Sequence, residues 1–508
     1  MVQETSDPHA VDALISVDLL RDVENFGALK NVRIGQITFD SREVTLNSED
    51  ATLFFAREGF NCDGHTFIGD VFQKNSQAIV VSERDLSKTH MRSIRVRDIA
   101  KTMAVVAKKF FNSPDEKLQV VAITGTNGKT TTAYLCRAMM NKISKTGMFG
   151  TVEYDAGEGS KRQPNTTLAA ISLFKMINSA WENGCENLIV EISSHGIMEK
   201  RAYGLGVDVA VFTNLSSEHL DFHKNLESYF LAKKNLFDGI NGCFPKYAVI
   251  NVDDEYGRRL CNAMANKGMA FSSFGFSDGA DFKISNVTKN DITGMKFEIV
   301  ANGRRHEISS SLFGKHNLLN IAASFAACTL VHNAPEKFIQ AVAEFGCVPG
   351  RMDRVDLSNG SIAFIDYAHT PHALETVLAA LNAVKTGRLF CVFGCGGNRD
   401  SNKRAPMTQI ANELSDFAIA TSDNPRSEPQ EKIFRDMRAG VVDPERIVFI
   451  ADRREAIAYA MRLAENGDIV LVAGKGHENY QLINGQTFDF SDKDVIRRLD
   501  SSKEEHFR

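Results

Sequence analysis

The stretch QVVAITGTNGKTTT, residues 119–132, combines the residue types that bind a phosphate group. A β-branched apolar run breaks into glycines, and a lysine and three threonines follow. Glycines let backbone N–H groups converge on phosphate oxygens, a lysine balances negative charge, and a hydroxyl can bind Mg²⁺. The predicted phosphate loop comprises Gly125, Thr126, Asn127, Gly128, Lys129, Thr130 and Thr131.

The spacing of this loop is G-x-x-G-K-T, two residues shorter than the general G-x-x-x-x-G-K-[ST] pattern. A glycine-rich turn between a strand and a helix is the alternative interpretation. A buried strand before the loop and the helical run AYLCRAMMNKI after it favour the phosphate loop.

Two further strands are predicted to end in residues suited to metal binding. NLIVEISSH places Glu191 at the end of one strand, and AVFTNLSSEHLDFH places His219 just past another. In an open α/β sheet, ligands gather outside the carboxyl ends of the strands. A carboxylate and an imidazole there suit the cations that accompany a nucleotide. A polar loop with satisfied hydrogen bonds is the alternative.

The composition is that of a soluble globular protein, with a net charge of −5 and 43% hydrophobic residues. No apolar run approaches the roughly 20 residues that a membrane-spanning helix requires. The N-terminal residues are acidic and polar, unlike a signal peptide, so we expect a cytoplasmic protein. The charge argues against a broad nucleic-acid surface. Nine scattered cysteines without a C-x-x-C pair predict reduced thiols rather than zinc.

The length of 508 residues predicts about three α/β domains. Residues 1–113 read as a small N-terminal α/β domain that ends before Pro114. Residues 114–345 alternate strands and helices, which indicates a central P-loop-type ATPase domain with a mostly parallel sheet. Residues 346–508 alternate again and indicate a C-terminal Rossmann-like α/β domain.

In the third unit, each polar cluster follows a predicted strand. The clusters are Asp366 to His369, Gly394 to Arg404, Asp423 to Arg426 and Gly474 to Glu478. Because parallel strands end at one edge of a sheet, we expect these clusters to share that edge. In the first unit, Ser41 belongs to a DSR loop, for which turn chemistry is the alternative to a binding site.

Taken in order, these motifs resemble the Mur ligase family along nearly the whole chain. The first unit carries DSR and DGH, and the second carries TGTNGKTTT, EISSH, FTNLSSEHLDFH and AKKNLF. The third carries VPGRMD, DYAHTPHAL, GCGGNRD, DNPRSEP and GKGHENYQ. One short motif would be weak support, whereas this many in the family's order are specific. DYAHTP and GKGHE resemble the motifs of one branch of the family, the ligases that extend UDP-N-acetylmuramoyl-L-alanyl-D-glutamate by a third amino acid.

The resemblance implies an ATP-dependent ligase of peptidoglycan precursor synthesis, with the UDP end on domain one, ATP on domain two and the amino acid on domain three. ATP would phosphorylate the D-glutamate side carboxylate, and the amine would attack the acyl phosphate to give an amide, ADP and phosphate. The chemistry is reasonable because a carboxylate is a poor electrophile until its oxygen becomes a phosphate leaving group. Mg²⁺ and Lys129 would neutralise the transferred phosphoryl group. Small-molecule substrates and a monomer are expected.

The resemblance also assigns roles to individual positions. For catalysis these are Lys129, Lys233 and His219. For the metal they are Thr130, Glu191, His219 and Lys233, with Lys233 carbamylated. For ATP they are the phosphate loop with Asn317, Arg351 and Asp366. For the UDP-sugar peptide they are Ser41, Asn165, Thr166, Thr167, Ser194 and Arg201. The residues alone would make Lys233 a solvated surface charge, and Asn317 could equally cap a helix.

For the incoming amino acid, the resemblance implies Arg399, Asp423, Asn424, Arg426, Gly474 and Glu478. Members that add meso-diaminopimelate carry an arginine at the position of Arg426, which lysine-adding members usually lack. Diaminopimelate has a distal carboxylate that lysine lacks, and a guanidinium fork binds a carboxylate through two hydrogen bonds. Glu478 would hold the distal ammonium.

The sequence departs from the family at two places. Leu168 and Ala169 stand where the family usually has Pro-Asp, and Glu218 stands where it usually has Asp. A paralogue that joins an amino acid to a different carboxylate, for example in secondary metabolism, is therefore an alternative. A switch protein that binds ATP without ligating is another, although it needs neither Arg399 nor Arg426. The folylpolyglutamate type of ligase usually has Lys-Gly-Ser in its phosphate loop, which differs from this chain.

Overall fold

The computed structural model describes residues 7–21, 24–59, 62–161, 163 and 165–505, whose strands form three successive sheets and a separate hairpin. Within these ranges, no helix has the length and apolar character needed to cross a membrane. The α/β class predicted for all three units is confirmed.

The first sheet has four parallel strands that pair in chain order. The DSR and DGH motifs form turns after its first two strands, because Asp40 accepts a hydrogen bond from Arg42 N and Asp63 accepts one from His65 N. Its strands are β1 (Ile34–Thr38), β2 (Ala51–Phe55), β3 (Ile79–Ser82) and β4 (Ser93–Arg95). Its helices are α1 (Val11–Leu14), α2 (Glu24–Leu29), α3 (Ile68–Lys74) and α4 (Ile99–Phe110).

The second sheet has eleven strands in the order β15-β14-β13-β12-β11-β10-β5-β9-β6-β7-β8. The middle of the sheet, from β13 to β6, is parallel, and antiparallel pairs extend both edges. The strands are β5 (Gln119–Thr124), β6 (Thr146–Phe149), β7 (Tyr154–Asp155), β8 (Ser160–Lys161), β9 (Asn187–Glu191), β10 (Val209–Phe212), β11 (Tyr247–Asn251), β12 (Phe271–Gly275), β13 (Phe282–Asp291), β14 (Gly294–Ala301) and β15 (Arg304–Ser310).

Helices cover the parallel part of this sheet, so strands such as β5 are almost entirely buried and apolar. The helices are α5 (Lys129–Met140), α6 (Ala170–Glu182), α7 (Ser194–Met198), α8 (Leu220–His223), α9 (Leu226–Lys234), α10 (Glu255–Asn266), α11 (Lys315–Val331) and α12 (Pro335–Glu344). α11 packs against α5, and its buried alanines, such as Ala322 and Ala326, allow the two helices to approach closely. This packing fixes the helix that follows the phosphate loop.

The third sheet has the order β16-β17-β21-β18-β19-β20, parallel except for β16 at one edge. The last two strands of the chain form a separate antiparallel hairpin. The strands are β16 (Asp353–Asp356), β17 (Ile362–Asp366), β18 (Leu389–Cys395), β19 (Phe417–Ser422), β20 (Ile447–Phe449), β21 (Ile469–Ala473), β22 (Tyr480–Ile483) and β23 (Gln486–Asp489). The helices are α13 (Pro371–Asn382), α14 (Arg404–Leu414), α15 (Gln430–Arg438), α16 (Arg453–Leu463) and α17 (Asp492–Glu505).

Contacts between the sheets bring their carboxyl edges together. Ile292, in the turn between β13 and β14, packs against the apolar core of the third sheet, and its carbonyl accepts a hydrogen bond from Arg354 Nη1 at 2.9 Å. Lys200 of the second unit forms an ion pair with Asp98 at the start of α4. The ends of the second and third sheets therefore face one another across a common set of cavities.

Candidate active site

Two glycines of the phosphate loop adopt backbone angles that other residues disfavour. Gly125 has φ 146° and Gly128 has φ 86°. A Cβ atom on Gly125 would lie 1.9 Å from Thr213 Oγ1, and one on Gly128 would lie 2.4 Å from Asn320 Oδ1. The loop therefore requires glycine at both positions. It enters α5 at Lys129, and the N-terminus of that helix is a favourable place for an anion.

The residues after β10 hold the loop in its shape. Asn214 Oδ1 accepts a hydrogen bond from Asn127 N at 2.9 Å, and Asn214 Nδ2 donates to Asn127 O at 3.0 Å. Thr213 Oγ1 donates to the same carbonyl at 2.6 Å. Because these bonds lie within the protein, the loop is preorganised before a ligand binds.

The ammonium of Lys129 lies along the loop. Its Nζ donates to Gly125 O at 2.9 Å and to Thr126 O at 2.7 Å. Burial lowers the pKa of Lys129, and the carboxylates of Glu218 and Glu191 offset this only in part. A phosphate group in the cavity would place a negative charge beside this ammonium and so stabilise its charged form.

Glu191 is fully buried, and both of its carboxylate oxygens accept hydrogen bonds. Oε2 accepts from Thr130 Oγ1 and Thr151 Oγ1, each at 3.0 Å, and Oε1 accepts from Thr151 N at 3.0 Å. Among the described residues, no three His, Cys, Asp or Glu side chains cluster as metal ligands. One carboxylate beside threonine hydroxyls fits Mg²⁺, which takes few protein ligands and completes its shell with water and phosphate oxygens.

Lys233 lies beneath the loop and is only 1% exposed. Its Nζ donates to Gly125 O at 2.7 Å and lies 4.5 Å from the centroid of the Tyr229 ring. Burial lowers the pKa of Lys233 well below its ordinary value, and the charge of Lys129 acts in the same direction. The expectation from the residues alone, a solvated surface charge, is therefore wrong.

His219 and Glu218 lie at the rim of the phosphate cavity. His219 has a positive φ of 55°, which is uncommon outside glycine. Glu218 Oε1 lies 3.8 Å from His219 Nε2 and 3.8 Å from the Nε2 atom of His369, which comes from the third sheet. Burial lowers the pKa of His219 to about 4, although Glu218 opposes the shift. The ring is neutral at neutral pH, the form in which imidazole binds a metal.

A second cavity lies between α11 and the first residues of the third sheet. Asn317, Arg351 and Asp366 line it together with Gly128 and Thr131 of the phosphate loop. The structure thus brings together the three positions that the resemblance assigned to the nucleotide. Its location next to the loop, with apolar walls from both units, suits a nucleoside.

The side chain of Asn317 does not cap α11, contrary to the alternative interpretation. Gly314 precedes the helix without a side-chain cap, and Asn317 Nδ2 instead donates to Phe313 O at 2.9 Å. Asn317 Oδ1 accepts from Asn320 Nδ2 at 3.1 Å. The residue is buried and anchored at the cavity wall.

Arg351 and Asp366 connect this cavity to the third sheet. Arg351 Nη2 donates to Thr130 Oγ1 at 3.4 Å, and its guanidinium lies 4.7 Å from the centroid of the Tyr367 ring. Asp366 accepts hydrogen bonds from Met352 N at 2.7 Å and Ala368 N at 2.8 Å. Burial raises the pKa of Asp366 even so. Both side chains are held by the protein at the junction of two domains.

The threonines predicted to contact the UDP-sugar peptide lie directly beside Glu191. Thr166 Oγ1 lies 3.0 Å from Thr151 Oγ1, and Thr167 Oγ1 donates to Glu191 O at 3.1 Å. Arg201 Nη1 donates to Thr167 O at 2.8 Å. Thr167 is fully buried and supports the backbone at Glu191, whereas Thr166 lines the phosphate cavity.

The other three positions of this set differ in their surroundings. Ser194 is buried, and its Oγ forms a hydrogen bond with the His223 ring at 2.9 Å. Asn165 is exposed next to Thr166. Ser41 lies in the loop after β1, where its carbonyl accepts a hydrogen bond from Lys74 Nζ at 2.8 Å.

Leu168, one of the departures from the family, points into the core of the second unit. Its side chain is 6% exposed, and its N–H donates to Tyr154 Oη at 3.2 Å. Tyr154 Oη in turn donates to Thr166 O at 2.8 Å. A proline at position 168 has no N–H and could not make the first of these bonds. Replacement of that proline by leucine therefore changes backbone support more than cavity chemistry.

Asn424 and Glu478 meet at the carboxyl edge of the third sheet. Asn424 Nδ2 donates to Glu478 Oε2 at 2.9 Å, and the buried Lys475 Nζ donates to the same oxygen at 3.0 Å. Lys475 Nζ also lies 3.3 Å from Asn424 Oδ1. In the described part of the chain, no hydrogen bond involves Glu478 Oε1. That oxygen is placed to accept from a ligand.

The backbone of Arg426 is clamped by the hairpin β22–β23. Arg426 has φ 54°, its N–H donates to Leu482 O at 2.9 Å, and its carbonyl accepts from Asn484 N at 2.6 Å. Its Nη1 donates to Gly397 O at 2.9 Å. Among the described residues, no protein acceptor bonds to Nε or Nη2. One edge of the guanidinium is therefore fixed and the other is available.

The last three predicted positions for the amino acid lie on neighbouring loops. Asp423 is 8% exposed, and a Cβ atom on Gly474 would lie 2.8 Å from Asp423 Oδ2. Gly474 N donates to Asp366 O at 3.0 Å, which joins this region to the nucleotide cavity. Arg399 is exposed in the loop after β18.

Two cavities meet at Thr151, Thr166 and Tyr367. The phosphate cavity contains all three, and so does a third cavity that continues to Asn165 and Glu478. A substrate held there would reach the phosphate loop on one side and the edge of the third sheet on the other. The arrangement can therefore bring a phosphorylated group and a nucleophile to one point.

Four residues of this region have no role assigned from the sequence: Glu218, Thr151, Tyr367 and Lys475. Tyr367 and Lys475 lie inside motifs that were recognised, DYAHTP and GKGHE, but neither was assigned a role. Glu218 follows the same predicted strand as His219 and departs from the family's usual aspartate, but the sequence assigns it no role. Thr151 carried no signal, because a single threonine after a short strand is common.

Comparison with known proteins identifies the family. Residues 123–328 match the Mur ligase middle domain, and residues 350–476 match the Mur ligase glutamate ligase domain. A Clostridium acetobutylicum protein is 37% identical over 470 residues, which cover 92% of this chain and 94% of that protein. The chain belongs to the Mur ligase family. It is thus an ATP-dependent amide ligase, and this family uses ATP and Mg²⁺.

The relatives of this Mur ligase carry specific names. The Clostridium acetobutylicum protein is a UDP-N-acetylmuramoyl-L-alanyl-D-glutamate–2,6-diaminopimelate ligase. An Aquifex aeolicus protein with the same activity in its name is 38% identical over 468 residues, covering 92% of this chain and 94% of its own. A solved structure of a ligase so named matches with a TM-score of 0.67 and 30% identity, over 97% of this chain and 99% of its own.

A more distant structure shows how widely the fold extends. Mycobacterium tuberculosis folylpolyglutamate synthase with ADP matches at a TM-score of 0.59 and 17% identity, over 74% of this chain and 92% of its own. This likeness concerns the fold alone.

Proposed function

We propose that this chain joins meso-diaminopimelate to UDP-N-acetylmuramoyl-L-alanyl-D-glutamate, with hydrolysis of ATP to ADP and phosphate, in peptidoglycan precursor synthesis. The observation that carries the proposal is the pair of cavities that meet at Thr151, Thr166 and Tyr367. One cavity contains the phosphate loop, and the other reaches Glu478. The relatives named as diaminopimelate ligases align with over nine-tenths of the chain.

The reaction has two steps. A carboxylate oxygen of the D-glutamate side chain attacks the γ-phosphorus of ATP, the bond to the β,γ-bridging oxygen breaks, and ADP leaves. The uncharged amine of diaminopimelate then attacks the acyl carbon, the nitrogen gives up one proton, and the tetrahedral intermediate expels phosphate, which takes up a proton, to form the amide. Lys129 offsets the charge of the phosphates from its place along the loop. The Thr166 hydroxyl, at the junction of the cavities, orients the carboxylate.

Mg²⁺ would be held by Thr130 and Glu191 with phosphate oxygens, and by His219 and a carbamylated Lys233. When bound, it would neutralise charge on the phosphoryl group. The carbamate rests on the burial of Lys233, because burial lowers the pKa and so favours the uncharged amine, the form that can attack CO₂. A nitrogen–carbon bond forms, the nitrogen releases one proton, and the neutral amine becomes an anionic carbamate whose oxygens can bind a metal.

Diaminopimelate would be selected at its distal end, where it carries both an ammonium and a carboxylate. Glu478 Oε1 would accept from the ammonium, and the available edge of Arg426 would bind the carboxylate with two hydrogen bonds. Asp423, Asn424, Gly474 and Arg399 would complete the site. Asn424 bonds to Glu478, which supports this grouping.

ATP would occupy the phosphate loop and the cavity lined by Asn317, Arg351 and Asp366. The UDP-sugar peptide would contact Ser41 on the first domain and a group on the second: Asn165, Thr166, Thr167, Ser194 and Arg201. We further propose domain boundaries at 113/114 and 345/346, a monomer, and a cytoplasmic location, where ATP is available. The buried position of Leu168 offers no support for a different carboxylate substrate.

The test is a set of incubations in which one substrate is omitted at a time. The complete mixture of ATP, Mg²⁺, UDP-muramoyl dipeptide and meso-diaminopimelate should release ADP and give a UDP-linked tripeptide, detected by mass spectrometry. L-lysine in place of diaminopimelate should react poorly. Equal use of both, or ADP release that needs neither amino acid, would reject the proposal.

A further inference from the structure

A buried ion pair lies beneath the proposed amino-acid site. Arg453 and Asp492, the first residues of α16 and α17, have side chains that are both 0% exposed. Arg453 Nε donates to Asp492 Oδ1 at 2.8 Å, and Nη2 donates to Asp492 Oδ2 at 2.8 Å. This is a bidentate pair of fixed geometry. It belongs to none of the cavities described above.

The remaining donors of Arg453 reach the last residues of two strands. Nη2 also donates to Ala473 O at 2.9 Å, and Nη1 donates to Ser422 O at 3.3 Å. Ala473 ends β21 and Ser422 ends β19. These strands are not neighbours, because β18 lies between them in the sheet. Sheet hydrogen bonds therefore join the two ends only through β18, whereas the guanidinium bonds to both of them directly.

The next residue after each of these carbonyls belongs to the proposed amino-acid site. Asp423 follows Ser422, and Gly474 follows Ala473. Gly474 has φ 111°, so the chain leaves strand geometry at once. Asn424 Nδ2 and Glu478 Oε2, on the two loops that follow, are joined by a hydrogen bond of 2.9 Å. Any shift of either strand end would therefore change the distance between these two residues.

We propose that Arg453, fixed by Asp492, is a positioning residue for the amino-acid site. It sets the separation of the loops at 423–426 and 474–478, and it touches no substrate itself. The identity of the amino acid in this proposal rests on the proposed function, whereas the geometry of the two loops does not depend on it. Buried ion pairs can often be replaced by apolar side chains without loss of stability. If this pair only stabilised the fold, such a replacement would therefore leave the affinity for the amino acid unchanged.

The test uses two variants. The double substitution Arg453→Met with Asp492→Leu removes both charges and leaves no unpaired buried ion. Arg453→Lys keeps the charge, but the three donors of one ammonium cannot replace the four hydrogen bonds that Arg453 makes from three separate nitrogens. In both variants we expect KM for the amino acid to rise on the order of 10-fold to 100-fold. KM for ATP should stay within about twofold, since the loop at 125–131 is not involved.

Arg388→Met is the matched control. Arg388 pairs with Asp468 at 2.8 Å, at the amino ends of β18 and β21, on the opposite edge of the same sheet. It should leave both KM values unchanged. A rise in KM for the amino acid in the control as large as in the Arg453 variants would overturn the proposal, as would unchanged KM in both Arg453 variants.

The readout does not depend on diaminopimelate. Should the parent prefer lysine, the proposed function fails and the same KM comparison is made with lysine. Should the parent use no amino acid, hydrogen exchange decides: faster exchange at 423–426 and 474–478 in the Arg453 variants, with unchanged exchange at 125–131, supports positioning. Equal exchange in parent and variants at these segments overturns it.

Discussion

Arg426 offers the most direct link between one side chain and amino-acid choice. Its Nη1 bonds to Gly397 O, and the hairpin β22–β23 holds its backbone at φ 54°. Replacement by alanine keeps the same strained φ, since both residues carry a Cβ. Arg426→Ala therefore removes the guanidinium without altering the backbone cost. Because the bonds from Nη1 to Gly397 O and Asn424 O are lost as well, the ratio of diaminopimelate use to lysine use, rather than either rate alone, reports the lost contact with the ligand.

The size of the effect follows from the chemistry of the pair. Arg426 is half-buried, so its contact with a distal carboxylate would be partly shielded from water. Loss of one partner from such a charge pair typically costs about 2–5 kcal/mol. At about 1.4 kcal/mol per tenfold, kcat/KM for diaminopimelate should fall by a factor of roughly 30 or more. Lysine has no distal carboxylate, so its use should change little or improve.

The assay compares kcat/KM for diaminopimelate and L-lysine, measured by ADP release, in the parent, Arg426→Ala and Arg426→Lys. The lysine variant keeps a charge but loses the two parallel donors, so it should fall between the other two. Arg435→Ala, at an exposed arginine of the nearby α15, is the control and should match the parent. Equal loss of activity with both amino acids in Arg426→Ala would show that Arg426 supports the structure and does not select the amino acid.

Four further predictions concern other parts of the chain. Lys129→Ala should abolish ligation but keep the parent's circular dichroism spectrum, because the side chain serves phosphate charge rather than packing; near-parental turnover would contradict this. Lys233→Ala should be nearly inactive, and a small carboxylic acid, but not bicarbonate, should partly restore turnover; an unmodified Lys233 in the mass spectrum of active enzyme would count against the carbamate. Ala169 precedes α6 and provides no side-chain cap. Ala169→Asp should therefore raise the free energy of unfolding by about 1 kcal/mol in urea denaturation; no gain would mean that the first N–H groups of α6 already have hydrogen-bond partners. Burial lowers the pKa of His316 to about 4, below its ordinary value, so stability should be lost as pH falls from about 6.5 towards 4; His316→Gln should flatten the drop of Tm over that range, and an unchanged drop would assign acid lability elsewhere.

The sequence predicted the sheets well where hydrophobic runs are continuous. β17, β18, β19 and β21 all coincide with the strands predicted before the four polar clusters of the third unit. The antiparallel edges of the second sheet and the hairpin β22–β23 were not foreseen. Among them, β7, β8 and β23 have only two to four residues each, which is too few to give a clear period.

Residues of the candidate site could be predicted from the sequence where the backbone geometry allows only one residue type. They could not be predicted where the chemistry of a side chain depends on its burial in the folded protein. Gly125 and Gly128 follow from the shape of the loop. Lys233 does not, because the helix α9 that carries it gives no sign of which face is buried, and only the structure places the amine under the loop. Thr151 was invisible for a similar reason: its role comes from Glu191, forty residues away in the sequence.

The proposed reaction depends on activation of the carboxylate by transfer of the γ-phosphoryl group. UDP-muramoyl dipeptide labelled with ¹⁸O in the D-glutamate side carboxylate tests it directly. If an acyl phosphate forms, one labelled oxygen per turnover stays with phosphorus when the amine displaces it, and the released phosphate carries ¹⁸O. Phosphate without label, formed alongside the amide product, would contradict the account.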